Sequence, residues 1–391
     1  MTHKQQKPKV FELSHSRKGQ VQLTVNWIYI VIAGAVILLF FAGLVVKGKD
    51  AAEKNIAEDV VQVMGNVFTG AGVSEKTKNR IETSGLAEFT FQFTCMEGVS
   101  TFGIKDKTNS VQDTTQPTFS PEEIKTTRML LWSLPYKLPY KIVDLLFVTS
   151  VNTKYFLIAF DDIDFVNEFD TATDDSDKTM KINWQSITTL EDVDPKGNFQ
   201  IRIVDLDGIY VKENGDVPVK ALTLADDKVT AVTFLSGNLV QYYQKQGTVW
   251  SKKGKPVEMV SLGGKRDAAK YAAIFAHDGD QYTCNMLKAY KRLGLVNKVY
   301  QGKLQDLQSY YTENSQLSLT KAGCYGLAGV EGFAFEQNLK NEMEAYQNKI
   351  ETCIFESKEG LASTSCQDFV GLANAISNIN QELQSECISL Y

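Results

Sequence analysis

Trp27 to Val46 is a run of twenty residues without a charged side chain, built from Ile, Val, Leu, Phe and Ala and diluted only by Trp27, Tyr29, Gly34 and Gly43. At about 1.5 Å rise per residue it covers roughly 30 Å, the hydrocarbon thickness of a bilayer, and a helix in water needs no apolar surface all the way round. The run reads as a transmembrane helix. Five cations, Lys4, Lys7, Lys9, Arg17 and Lys18, precede it against the single acid Glu12, and Lys47, Lys49 and Lys54 follow it. That bias places the short tail inside and the bulk of the chain outside, with the Trp27 and Tyr29 rings at the headgroup level on the tail side. A cleaved secretory signal is the competing reading. Its apolar stretch usually has about 7 to 15 residues and ends at a small-x-small site, which Lys47-Gly48-Lys49-Asp50 does not offer.

The expected layout is a cytoplasmic tail over 1–26, the span over 27–46, a juxtamembrane helix and linker over 47–75, a mixed α/β extracytoplasmic domain over 76–325 and a C-terminal helical hairpin over 326–391. Ile56, Val60, Val63, Met64 and Val67 recur at helical spacing and predict the juxtamembrane helix. Gly65-x-x-x-x-Gly70 lacks the Lys-Ser or Lys-Thr of a phosphate loop, and Gly70 and Gly72 are expected to end that helix. One uncharged span lines no path, so transport is not expected.

Arg17-Lys18-Gly19-Gln20, just before the apolar run, resembles the processing site of archaeal type IV prepilins, in which the mature chain would begin at Gln20 after cleavage behind Gly19. Thr24 stands where that family carries a Glu. The resemblance covers about 30 residues and implies a pilin-like filament component. The chain as a whole is similar to uncharacterised archaeal single-pass surface proteins, through its Gln20 to Val46 anchor and Cys-containing outer part, and this implies no activity.

The chain is 43% hydrophobic and 10% aromatic, ample for a core. Removing the five cations and one acid of the first 46 residues from totals of 41 and 47 leaves 36 and 46, a net charge near −10 outside. Such a surface repels phosphates, so nucleic acid is not an expected partner; the bilayer and other envelope proteins are.

All six cysteines, Cys95, Cys284, Cys324, Cys353, Cys366 and Cys387, fall on the side assigned as external, and an even count there points to disulfides. Leu339, Met343, Tyr346, Ile350 and Ile354 mark one amphipathic helix, and Phe369, Leu372, Ile376, Ile379 and Leu383 a second, joined by a Ser/Gly-rich loop. In an antiparallel hairpin Cys353 comes near Cys366. Cys387 then returns beside Cys324, and Cys95 remains for Cys284. Zinc is the alternative, but no Cys-x-x-Cys spacing occurs.

Phe89 to Thr94, Arg128 to Leu134, Lys154 to Phe160 and Phe199 to Val204 carry strand signatures. Asn214-Gly215 predicts a hairpin between 208–213 and 217–224, and Ser236-Gly237-Asn238 a second between Val229 to Leu235 and Leu239 to Gln244. After Gly263-Gly264 the period turns helical, with Tyr282, Met286, Tyr290 and Leu293 on one face and Val296, Val299, Tyr300, Leu304 and Leu307 continuing it. The expectation is a mixed sheet covered by helices. Leu134-Pro135-Tyr136-Lys137 and Leu138-Pro139-Tyr140-Lys141 read as an extended connector or edge, while Tyr140 to Thr149 fits strand or short helix.

His277 is the only histidine beyond the span, so a triad outside the membrane must use it, with Asp205 or Asp207 to orient it. Its setting, Ala276-His277-Asp278-Gly279-Asp280, reads instead as a turn with Asp280 capping the next helix. Asp161, Asp162, Asp164, Asp170, Asp174, Asp175 and Asp177 crowd one stretch, and Asp192-x-Asp194-x-Lys196-Gly197 approaches a calcium loop without its third ligand. These read as solvated loops. Gly263-Gly264-Lys265-Arg266 could cradle an anion on its amides, or be a plain turn. No catalytic residue, metal or cofactor is assigned. The expected role is binding or assembly in the cell envelope; an exoplasmic hydrolase using carboxylates or a metal is the alternative.

Overall fold

The structure, a computed structural model, describes residues 61–62, 64–68, 70, 78–83, 89–107, 110–173, 181–197, 200–313, 322–330, 338–358 and 366–391. Trp27 to Val46 and the Gly19-Gln20 junction lie outside them. Among the described residues no helix is long and apolar enough to cross a membrane. The chain is mixed α/β with a helical C-terminal region.

Helical residues between 61 and 70, termed α1, bury Val61, Met64 and Phe68 on one face. Of the stripe expected there, Met64 is buried and Val67 half-buried; the face is turned toward Phe68, whose ring meets Phe102 at 5.0 Å and Phe93 at 6.1 Å. Those partners lie on β2 (Phe91–Met96) and β3 (Val99–Ile104). With β4 (Ser110–Asp113) and β6 (Glu123–Ile124) they form a sheet of order β4-β3-β2-β6. A second sheet has the order β1-β7-β8-β5, from β1 (Lys78–Glu82), β5 (Thr118–Phe119), β7 (Arg128–Lys137) and β8 (Lys141–Ser150). The ambiguous stretch from Tyr140 is thus mostly strand. Pro135 lies inside β7, opposite Asp144, where the strand has run past the Arg128 to Trp132 stretch that β1 covers, so its missing N–H deprives no neighbour.

The third sheet holds β9 (Thr153–Ile158), β10 (Asn183–Ile187), β11 (Gln200–Asp205), β12 (Val229–Leu235), β13 (Leu239–Gln246) and β14 (Val249–Lys252) in the order β10-β9-β11-β12-β13-β14, with β15 (Val257–Glu258) also beside β13. Its first four strands are parallel, and α2 (Ile163–Thr173) links β9 to β10. The β12–β13 hairpin turns through Gly237 and Asn238 at φ 76° and 58°, as expected. The hairpin expected at Asn214-Gly215 does not form. Parallel neighbours such as β11 and β12 cannot be joined by a tight turn, and residues 206–228 instead travel back over the sheet. Asn214 still turns, at φ 59°, and its amide bonds to the Trp250 carbonyl at 2.9 Å.

Between the second and third sheets sits α3 (Ala268–Phe275), with seven of its eight residues buried. Tyr271 meets Trp132 at 4.8 Å, while Phe275 meets Phe147 on one side and Tyr155 on the other, both at 5.3 Å. A helix apolar on every side suits this central layer. Next comes α4 (Gly279–Glu313), 35 residues long. Tyr282, Met286, Tyr290, Leu293, Leu304 and Leu307 are buried as expected, but Val299 is 62% exposed. A short α5 (Ala322–Ala328) precedes α6 (Leu339–Lys358) and α7 (Asp368–Glu386), which pack on each other. Leu339, Met343, Tyr346 and Ile350 of α6 and Ile376, Ile379 and Leu383 of α7 are buried.

Three disulfides join Cys95 to Cys284, Cys324 to Cys387 and Cys353 to Cys366, the same pairs set out from the helix pattern. Cys95–Cys284 closes a sequence separation of 189, against 13 for Cys353–Cys366. In the loop-entropy account these are worth roughly 5 and 3 kcal/mol. Replacing Cys95 and Cys284 by Ser should therefore lower the guanidinium midpoint of unfolding more than the same change at Cys353 and Cys366; equal shifts would contradict the account.

Candidate functional site

In a parallel sheet the place that most often receives a ligand is the carboxyl edge where strand order reverses. Here that point lies between β9 and β11, since α2 carries the chain outward from β9 to β10 and β11 lies on the opposite side. Its acids are engaged with the fold. Asp207 accepts hydrogen bonds from the amides of Phe160 and Asp161, the latter at 3.2 Å, just ahead of α2. Asp205 accepts from the amides of Gly208, Tyr210 and Val211 at 3.0, 2.9 and 2.9 Å. Burial pushes the Asp205 carboxyl above its ordinary range, and these amides pull the other way. Asp162 pairs with Lys270, whose ammonium also stands 4.1 Å from the centre of the Phe165 ring.

Large apolar side chains face solvent at this edge. Phe160 is 75% exposed, Ile163 57% and Ile209 63%. Asp161 and Asp164 stand exposed among them. Ile209 belongs to this brim because Asp207, two residues earlier, holds the Phe160 and Asp161 amides. A run of acids that follows Phe160 and is interrupted by Ile163 was the only sequence signal, and it reads first as an ordinary strand end.

His277 lies at the other end of the sheet. Its neighbours line a void with Thr153, Gln200 and Thr230, which start or flank β9, β11 and β12, so Asp205 and Asp207 at the carboxyl edge do not orient it. Instead its Nε2 lies 2.8 Å from Glu122 and in contact with Lys253, which is 3.6 Å from Asp278. The His277 hydrogen bond, with Lys253 alongside, holds the Glu122 carboxyl at about 2. The void measures about 10 Å³, the space of a single water. Beneath it, buried Arg202 donates to the carbonyls of Ile274, Ala276 and His277 at 3.2, 2.6 and 3.4 Å, closing the carboxyl end of α3. The residue that caps α4 is Asp278, not Asp280: its Oδ1 accepts from the Gln281 amide at 2.9 Å, because the helix already begins at Gly279.

A cleft of about 420 Å³ is polar and lined by Lys154, Lys196 and Lys220 against Glu191, Asp192 and Asp194. Three cations among three acids do not make a calcium site. Asp192 accepts from Thr188 Oγ1 and the Thr189 amide at 3.0 and 3.1 Å, and the Asp194 carbonyl accepts from Lys154 at 3.0 Å. Among the described residues no three His, Cys, Asp or Glu side chains converge to hold a metal. Asp174, Asp175 and Asp177 lie outside the described residues. Gly263 and Gly264, at φ 72° and 94°, form a turn whose following amide, on Arg266, is bonded by Glu168 at 2.8 Å.

Comparison of the chain and its fold with protein families, curated proteins and solved structures gives no match.

Two measurements check these assignments. Glu122 sits at about 2 against an ordinary 4.5, so its cluster stabilises the fold fully above about pH 4.5 and loses that contribution as the pH falls toward 2. Thermal melts of the wild type and Glu122→Gln should accordingly converge in acid; a constant gap would exclude the pairing. Asp207→Ala strands the Phe160 and Asp161 amides and should cost about 1–2 kcal/mol in chemical denaturation, as loss of a helix cap does.

Proposed function

We propose that this chain is a single-pass membrane protein with residues 1–26 in the cytoplasm, a spanning helix over Trp27 to Val46, and a globular part outside that works by binding or assembly in the cell envelope. The observation that carries the binding reading is the carboxyl edge of the parallel sheet. Where an enzyme of this topology would converge free polar groups on a substrate, Asp205, Asp207 and Asp162 are bonded within the fold and Phe160, Ile163 and Ile209 face solvent. Exposed apolar side chains gathered at one edge are what a protein partner covers.

The location is supported by the cysteines. All six are joined in disulfides, which form and persist outside the reducing cytosol. The Lys/Arg excess before the span agrees with that side. We read α6 and α7 as an antiparallel hairpin stapled near its loop by Cys353–Cys366, with Lys349 2.9 Å from Asp368 beside it.

Protease added to unbroken cells should digest the globular part, and carbonate washing should leave the protein in the membrane fraction. Protection of that part, or release by carbonate, would sink the topology. A photo-crosslinking residue placed at Phe160 should capture a protein partner on intact cells, while the same residue at exposed Thr223, away from the brim, should not; equal labelling at both would sink the brim as the binding surface.

A further inference from the structure

From Gln281 to Gln305 the chain has no acid and five cations, Lys288, Lys291, Arg292, Lys298 and Lys303, in a protein that is otherwise acidic. All five lie on α4. Lys288 is buried, whereas the other four are exposed. Leu295 and Val299, 66% and 62% exposed, stand four apart on the same helix. Lys291 lies four residues before Leu295, and Arg292 and Lys298 lie three to either side, so charge and apolar surface share one face. Earlier along that face Cys284 and Asn285 are fastened to the first sheet at Cys95 and Ser100, and Gly98 lies against Lys291. Beyond Lys291 the face is uncovered. Part of the Lys298 charge is shared with Glu351 at 3.4 Å.

The molecule therefore carries two exposed apolar faces of opposite sign, the acidic brim of Phe160, Ile163 and Ile209 and the basic outer face of α4. We propose that the chain associates head to tail, the brim of one copy seating on the Leu295–Val299 face of the next, with Asp161 and Asp164 against Lys291, Arg292 and Lys298. This deepens the binding reading and rests on it. A lipid surface of negative charge would suit α4 but would leave the brim without an occupant; a second copy accounts for both. Because the two faces differ, the contact is heterologous and continues into a ring or an open chain. The apolar area on each side is small, so the single contact is weak, and chains confined to one bilayer would gain from the raised local concentration.

The test uses the full chain in detergent micelles, with sedimentation velocity over a concentration and salt series. The wild type should grow in mass with concentration and shrink with salt. Arg292→Glu with Lys298→Glu, or Asp161→Lys with Asp164→Lys, should each weaken association by on the order of tenfold or more. Combining all four changes in one chain restores complementarity and should restore assembly. Mixing the two single-face variants should likewise restore growth in mass, since the two wild-type faces are complementary and so are the two reversed ones. All substituted positions are exposed, and unchanged melting verifies folding. A chain monomeric throughout, or growth indifferent to both reversals, would overturn the proposal. Loss of binding to anionic vesicles in the α4 variant with self-association unchanged would give that face to lipid and overturn it as well. If Phe160 crosslinks a different polypeptide on cells while the purified chain stays monomeric, the brim binds but self-assembly fails.

Discussion

Lys288 holds three parts of the molecule together with one ammonium group. Its three donors reach the Ser100 hydroxyl at 2.6 Å and the carbonyls of Asp113 and Gln116 at 2.8 and 3.1 Å. Ser100 in turn donates to Asn285 at 3.0 Å, and Asn285 accepts the Thr118 amide at the same distance. Gln281, Asn285 and Lys288 thus form a buried polar stripe that fixes α4 against the first sheet and the start of β5. Burial draws the Lys288 ammonium down to about 8, a measure of how far it has left water. Removing one member would leave its partners unsatisfied, so the stripe specifies position as well as contributing energy.

The chain's acidity also has an internal use. Backbone amides at loop and helix starts are natural anion sites, and here Asp207, Asp205 and Glu168 occupy those at 160–161, 208–211 and 266. The sheet edge that would receive a phosphate or a carboxylate is filled by side chains already in the sequence. Exposed charge of opposite sign remains at Asp161 and Asp164 after β9 and at Lys291, Arg292 and Lys298 on α4.

Local pattern carried much of the fold. Tyr282, Met286 and Tyr290, and the stripes of α6 and α7, were legible because helical spacing and burial coincide, and from those two helices the cysteine pairs followed. The β12–β13 turn was legible because Gly237 and Asn238 suit φ above zero. Asn214 carries the same signal, yet turn chemistry does not reveal whether the flanking segments are neighbours in a sheet. Val299 keeps the apolar period, yet it is 62% exposed. His277 and Asp207 lie at opposite ends of one sheet, a relation set by parallel topology and invisible in spacing. Phe160 and Ile163 were hidden in the acids around them.

The layer between the second and third sheets is set by small side chains. Ala268, Ala269, Ala272, Ala273 and Ala276 are 0–3% exposed, while Tyr271 meets Trp132 of the second sheet and Phe275 meets Tyr155 of the third. A methyl group is about the largest side chain these five positions tolerate, since densely packed interiors accommodate added volume only by shifting their neighbours. Sequence drift at those five positions is therefore confined to residues of alanine's size, and the separation of the two sheets should be among the slowest features of this architecture to diverge.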